Sequence, residues 1–235
     1  QDMMSIEMLD LLDPLIDGGF DHGRWWVFCD QNNQAAVFGV FEMAAVFRLM
    51  GSGMVSVLHA NRRNTIQIAT ETELMTLPKH APRASVEGIP VKVRFYKGDR
   101  DQTRMLSSHI DSLIQEGIEP HQISVLSPRN NRDCCASTLS SPGPVEVTRK
   151  NAWQVGGPSI GSITFSTVSS FKGLENDFIV LTDVEELSTE WWQGVVYVGM
   201  TRARTGLCVF MSESLEVAYT ERQQMWLQSN LGSEQ

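Results

Sequence analysis

Several features that would declare a function are missing from this chain. It holds no G-x-x-x-x-G-K-[ST] segment, so it carries no P-loop of its own. Its four cysteines, Cys29, Cys134, Cys135 and Cys208, match no zinc spacing, and two are adjacent. That excludes a zinc finger or ribbon and reads as reduced thiols of an intracellular protein. The five histidines are scattered and offer no Ser-His-Asp order, which leaves serine-hydrolase chemistry without support. No apolar run approaches the roughly 20 residues of a membrane span, and no signal peptide is visible. Basic charge is scarce: 19 Lys and Arg stand against 28 Asp and Glu, a net charge of -9. A nucleic-acid partner would therefore need a local basic groove on an acidic body. The chain opens at Gln1 rather than at a methionine and reads as a piece of something longer.

What is present is an alternation of apolar strands and amphipathic helices. The spacing predicts a helix over 3–16, disturbed near its end by Pro14, and a buried strand over 24–30 ending at Asp30. A helix is expected at about 39–50, a strand at 54–60, and a helix over 62–76 capped by Asn61. Residues 78–90 read as a linker. Beyond it come a strand at 91–96, a helix at 101–116 and a strand at 123–128 stopped by Pro128. Residues 129–162 look irregular, with a short strand near 145–148. Strands at 163–168 and 177–182, a helix at 190–201, a strand at 206–211 and a helix at 214–229 complete the order. Strands apolar on both faces, alternating with helices, predict an α/β fold with a parallel sheet covered on both sides. Ligands of such sheets collect at the carboxyl ends of the strands. Asp30, Ser127 and the turn at 167–173 are expected there.

Four constellations carry candidate chemistry. The turn after the strand at 163–168 holds Thr167, Ser169, Ser170, Lys172 and Gly173, then Glu175. Hydroxyls, a lysine and backbone N–H groups near a glycine suit phosphate oxygens, and Glu175 suits a sugar hydroxyl. The plain alternative is a hydrophilic surface turn. "VVYVGMTRART" at 195–205 brings Thr201, Arg202 and Arg204 to the edge of a strand. An arginine fork there suits a phosphate gaining charge; equally, it neutralises the end of a helix. "HANRRNT" at 59–65 sets Arg62 and Arg63 at a predicted helix start, where the dipole favours an anion; solvated arginines are the alternative. "CDQNNQ" at 29–34 places an acid and amides after a buried strand, or is simply a loop.

Together these stretches resemble the motifs of a superfamily 1 DNA helicase of the UvrD/Rep type. "TVSSFKGLENDFIVL" resembles that family's motif V and "VVYVGMTRAR" its motif VI. "LHANRRNTIQIA" is similar to motif IV and "VFCDQNNQAAVF" to motif III, while Gln1-Asp2 looks like the tail of motif II. The resemblance covers nearly the whole chain and implies RecA-like parallel sheets of the P-loop NTPase type. Residues 1–52 would be the end of a first RecA-like domain and 53–235 a second. It implies ATP and magnesium in a cleft, single-stranded DNA across the top, and an upstream P-loop-bearing domain in the same polypeptide. Arg202 would be the arginine finger, with Arg63 beside it. Glu175 would meet the ribose, near Gly173 and Lys172. Gln34 would sense the phosphate and Gln1 would be the motif II glutamine. Thr167, Ser169, Ser170 and Phe38 would face DNA.

The departures shape the expectation. Motif III fits with one residue inserted, so Gln31 competes with Gln34, and Ser169 replaces the motif V histidine. The P-loop and the magnesium-binding acidic pair are absent. The reading is the C-terminal part of an ATP-dependent DNA helicase or translocase, cytoplasmic and with no membrane partner, inactive as this chain alone. The alternative is a degenerate, non-catalytic RecA-like module that binds DNA or a partner protein.

Overall fold

The structure is a computed structural model that describes residues 3–28, 40–78, 83–130, 133–138, 146–149 and 161–231. In the first part of the chain, β1 (Met3–Met4) pairs in parallel with β2 (Val40–Phe41). Helices α1 (Ile6–Leu12), α2 (Gly19–His22) and α3 (Met43–Ser52) belong to the same unit. Ser5 caps α1 by accepting from the Met8 N–H at 3.2 Å. Pro14 lies in a single 3-10 turn, Asp13–Leu15, that ends the helical stretch. Met4, Leu9, Phe20, Ala45, Val46 and Leu49 form a small apolar cluster of their own.

The second part is built on a larger sheet. Its elements are β3 (Ala60–Asn61), α4 (Ile66–Thr76), β4 (Arg83–Ala84), β5 (Lys92–Tyr96), α5 (Asp99–Gln115) and β6 (Ile123–Ser127). There follow β7 (Glu146–Arg149), β8 (Ser162–Thr167), β9 (Asn176–Val184), α6 (Glu190–Met200), β10 (Ala203–Ser212) and α7 (Glu216–Leu231). Among the described residues six strands form one sheet in the order β5-β10-β9-β6-β8-β7. Every pairing in it is parallel.

The apolar runs of the central strands have a direct cause in this order. Along β10, Leu207, Val209 and Met211 enter one core, shared with α4, α6 and α7. Cys208 and Phe210 enter the opposite core, against Leu106, Ile110 and Leu113 of α5. β9 alternates likewise, with Ile179 and Leu181 on one side and Val180 on the other. A strand with a helical layer on both faces has little room for a charge along its middle, so it reads as a continuous apolar run. The helix α7 is tied to α4 by Tyr219, whose hydroxyl donates to Glu71 at 2.7 Å, and by Arg222, which donates to the Met75 and Leu187 carbonyls.

The expected α/β architecture with a two-sided parallel sheet is therefore present, but two expected strands are not. Residues 24–28 form no strand, and Trp26 is 87% and Phe28 74% exposed. Residues 54–59 form none either; Met54 and Leu58 are fully or largely exposed, and only Ala60–Asn61 pairs, with Arg83–Ala84. An apolar run makes a buried strand only where neighbours supply hydrogen bonds and two covering layers, and no described residues do so here. Asp30 lies outside the described residues, as do 79–82 of the expected linker. Cys134, Cys135 and Cys208 are buried; burial pushes the Cys208 thiol up to about 12. Among the described residues no helix is long and apolar enough to cross a membrane.

One buried group makes the core sensitive to pH. His109 on α5 is nearly covered and meets the Phe210 ring edge-on at 6.3 Å. Desolvation, with Lys92 and Arg94 nearby, pulls its imidazole down to about 4. A base whose folded value lies below its unfolded value of about 6.5 takes up a proton on unfolding between the two. Its contribution to stability is full above that range and is lost as pH falls through it. Urea unfolding of the native chain should show stability dropping between about pH 6.5 and 4, and His109→Gln should flatten that part of the profile. An unchanged profile in the variant would place the pH dependence elsewhere.

Candidate functional site

The site grows from three segments far apart in sequence. The first is the loop before α4. Asn61 Oδ1 accepts the backbone N–H groups of Arg63 and Asn64, at 3.1 and 3.0 Å, which curls the chain into an Asx-type turn. Thr65, not Asn61, is the N-cap of α4; its hydroxyl accepts from Ile68 N. Arg62 and Arg63 therefore lie ahead of the cap and outside the first helical turn. The expected conflict between these arginines and the helix dipole does not arise.

The second segment is the approach to β9, where Glu175 stands one residue before the strand. Arg63 Nε donates to Glu175 Oε2 at 2.9 Å, with both side chains a little over 40% exposed. The third is the turn between α6 and β10. Arg204 Nε lies 3.8 Å from Glu175 Oε1 and 3.9 Å from Asp177 Oδ1, too far for strong hydrogen bonds but within Coulombic reach. Arg202 is buried, and its Nε donates to the Val198 carbonyl in the last turn of α6 at 3.0 Å. In this conformation Arg202 satisfies a helix end, the plainer of its two readings.

Asn64 joins the first segment to the third. Its amide donates to the Thr201 carbonyl at 3.2 Å and the Ala203 carbonyl at 2.7 Å, and it accepts from Asn61 at 3.0 Å. The Asn176 N–H closes the arrangement on the Arg202 carbonyl at 3.1 Å. An open cavity of about 220 Å³ borders this junction, with Asn61, Asn64, Glu73, Arg83 and Thr201 in its wall.

The arginine group thus sits at the amino ends of β9 and β10, the opposite end from the one expected for ligands of a parallel sheet. The hydroxyl group does lie at a carboxyl end. Thr167 closes β8, and Val168 N–H donates to the carbonyl of Ser127, the last residue of β6, at 2.9 Å. Thr167 Oγ1 lies 3.0 Å from Ser169 Oγ and accepts from Ser170 N at 3.1 Å, so these hydroxyls first organise their own turn. Val168 and Phe171 are buried in the core beneath it. Lys172 and Gly173 lie on the passage back toward Glu175. Gly173 has φ +83 and open space where a Cβ would stand, so it is there for its backbone hand rather than for room. The stretch 167–175 therefore runs from one end of the sheet to the other. Gln1, Gln34, Phe38 and the competing Gln31 lie outside the described residues.

The fold has a solved counterpart. The crystal structure of the C-terminal domain of a possible DNA helicase from Lactobacillus plantarum WCFS1 superposes with a TM-score of 0.51 at 17% identity. The match covers 65% of this chain and 88% of that one. No protein-family model matches, and no curated protein matches. At that identity the likeness concerns the fold: a RecA-like parallel α/β sheet, here without a P-loop.

Sequence reasoning passed over Asp183. It is fully buried at the carboxyl end of β9 with φ 58, and accepts from Ser127 at 2.7 Å, Thr182 at 3.0 Å and Cys135 N at 3.3 Å. Arg129 lies 3.8 Å from it and also binds Asp99 and Glu185. The only sequence signal is an acid immediately after the predicted strand at 177–182. Neither its left-handed backbone nor its set of partners has one.

A half-exposed ion pair contributes little to folding because water screens it. Arg63→Ala should therefore shift urea-unfolding stability by less than about 1 kcal/mol. A loss of about 2 kcal/mol or more would make the Arg63–Glu175 pair a structural tie.

Proposed function

We propose that this chain is the C-terminal part of a UvrD/Rep-like superfamily 1 DNA helicase or translocase. It would supply one wall of an ATP cleft and part of a single-stranded DNA track. The observation that carries this reading is the meeting of Arg63, Glu175 and Arg204 at the amino ends of β9 and β10, with the backbone of Arg202 held beside them. Cationic forks from two loops with a carboxylate between them suit the terminal phosphates and ribose of a nucleotide. Arg202 is the proposed arginine finger and Arg63 its neighbour; Glu175, Gly173 and Lys172 are the proposed ribose and phosphate side. Nucleotide would have to draw Arg63 from Glu175, and Arg202 from the Val198 carbonyl. Thr167, Ser169 and Ser170, at the other end of the sheet, are proposed to meet DNA phosphates, and Phe38 the bases.

These residues fit only the outer side of an ATP site. No P-loop lysine is present, and no described group of acids or histidines has the geometry of a metal site. A P-loop-bearing domain of the same polypeptide is therefore the proposed source of the remaining phosphate contacts and of the magnesium ligands, with the domain boundary near residue 52. The exposed apolar segments 24–28 and 54–58 support such a neighbour. A cytoplasmic location accords with this reading.

A second reading, a non-catalytic RecA-like binding module, is favoured by the buried, helix-bonded state of Arg202. ATP hydrolysis by the longer polypeptide, with and without single-stranded DNA, separates the two. DNA-stimulated turnover that falls about 10³-fold in Arg202→Ala would support the motor, since an arginine finger contributes 10³–10⁵. A folded polypeptide without turnover would leave the binding module.

A further inference from the structure

The backbone on both sides of Arg202 is tied to one other side chain. The residue stands in a turn, between the last residue of α6 and the first of β10. The carbonyls on either side of it, those of Thr201 and Ala203, both end on the amide of one side chain, Asn64, at 3.2 and 2.7 Å. Asn64 is 5% exposed. Its two N–H groups are spent on the two carbonyls, and its oxygen accepts from Asn61, so every polar position of the amide has a partner. Only one orientation of the amide satisfies this set, because carbonyls cannot donate. The backbone N–H of the same residue is held by Asn61, in the turn that also presents Arg63.

We propose that Asn64 is a positioning residue that sets the place of Arg202 and couples it to Arg63. The two arginines come from loops more than a hundred residues apart, and a phosphate contact needs both within a narrow geometry. Asn64 makes the two loops one rigid piece. A displacement of the loop bearing Arg63 would be passed through the amide to the backbone on both sides of Arg202. This inference rests on the nucleotide reading for its functional consequence, but its structural claim stands apart from that reading.

The first test uses this chain by itself, labelled with nitrogen-15. The Arg202 Nε–H, which donates to Val198, is identified by its absence in Arg202→Lys. In Asn64→Ala, and in the isosteric Asn64→Asp, that resonance should shift and its hydrogen exchange should quicken by about tenfold or more. Thr72→Ala removes a buried hydrogen bond further along α4 and should leave the resonance in place. An unmoved resonance in both Asn64 variants, or an equal shift in Thr72→Ala, would overturn the proposal. The second test is a double-mutant cycle on DNA-stimulated ATP turnover by the longer polypeptide. Asn64→Ala should lower kcat by about tenfold or more alone and have no added effect on Arg202→Ala. Effects that simply multiply would overturn it. Absence of turnover in the unmutated polypeptide would count against the nucleotide reading, and the resonance would then decide the role of Asn64.

Discussion

Burying both faces of a parallel sheet is the constraint on which the rest of this structure depends. With α4, α6 and α7 over one face and α5 over the other, the central strands β9, β10 and β6 have no exposed surface except at their ends. Polar chemistry is therefore expelled to two rims. At the carboxyl rim stand the Thr167–Ser170 hydroxyls and the buried Asp183 with its donors. At the amino rim stand Arg63, Glu175, Arg202 and Arg204. The short passage from 168 to 175 runs between them and places its own apolar residues, Val168 and Phe171, in the core on the way. The passage thus links the two rims through a closely packed layer.

The two rims are held by different physics. The ion pairs of the amino rim are half-exposed and screened, so they contribute little to stability and can open at small cost. What fixes their backbone is a set of short neutral hydrogen bonds: Asn61 to the Arg63 and Asn64 N–H groups, Asn64 to the carbonyls flanking Arg202, Asn176 N–H to the Arg202 carbonyl. A rigid frame that carries exchangeable charges is a suitable arrangement for a ligand that comes and goes. At the carboxyl rim the order is reversed. There the charged group, Asp183, is the buried anchor, and the exposed Ser169 is left to the surface.

Much of this was legible in the residues alone. The central strands and the helices around them were readable because two-sided burial writes itself as uninterrupted apolar runs, and one-sided burial as helical spacing. The residues of "VSSFKGLE" and "GMTRAR" were readable as candidate sites because hydroxyls, arginines and a glycine cluster where a core strand or helix has just ended. The same rule misled at 24–28 and 54–59, where apolar character was mistaken for burial. Asn61 was read as a helix cap because its residue type suits a cap; Thr65 took that place because the Asn61 side chain was already engaged by the turn before it.

By itself the sequence determined which residues could be core and which could carry charge, because those properties belong to single side chains and their local spacing. It also determined the alternation of core strands and helices, and hence a parallel sheet covered on both sides. The tertiary structure alone decided which end of the sheet each charged group would occupy. Strand order and the direction of each crossover settle that, and neither is written in any local pattern. Tertiary structure also decided that Asn64 would meet the carbonyls beside Arg202. An amide can satisfy many partners, and only the packing of α4 against the end of α6 selected these two.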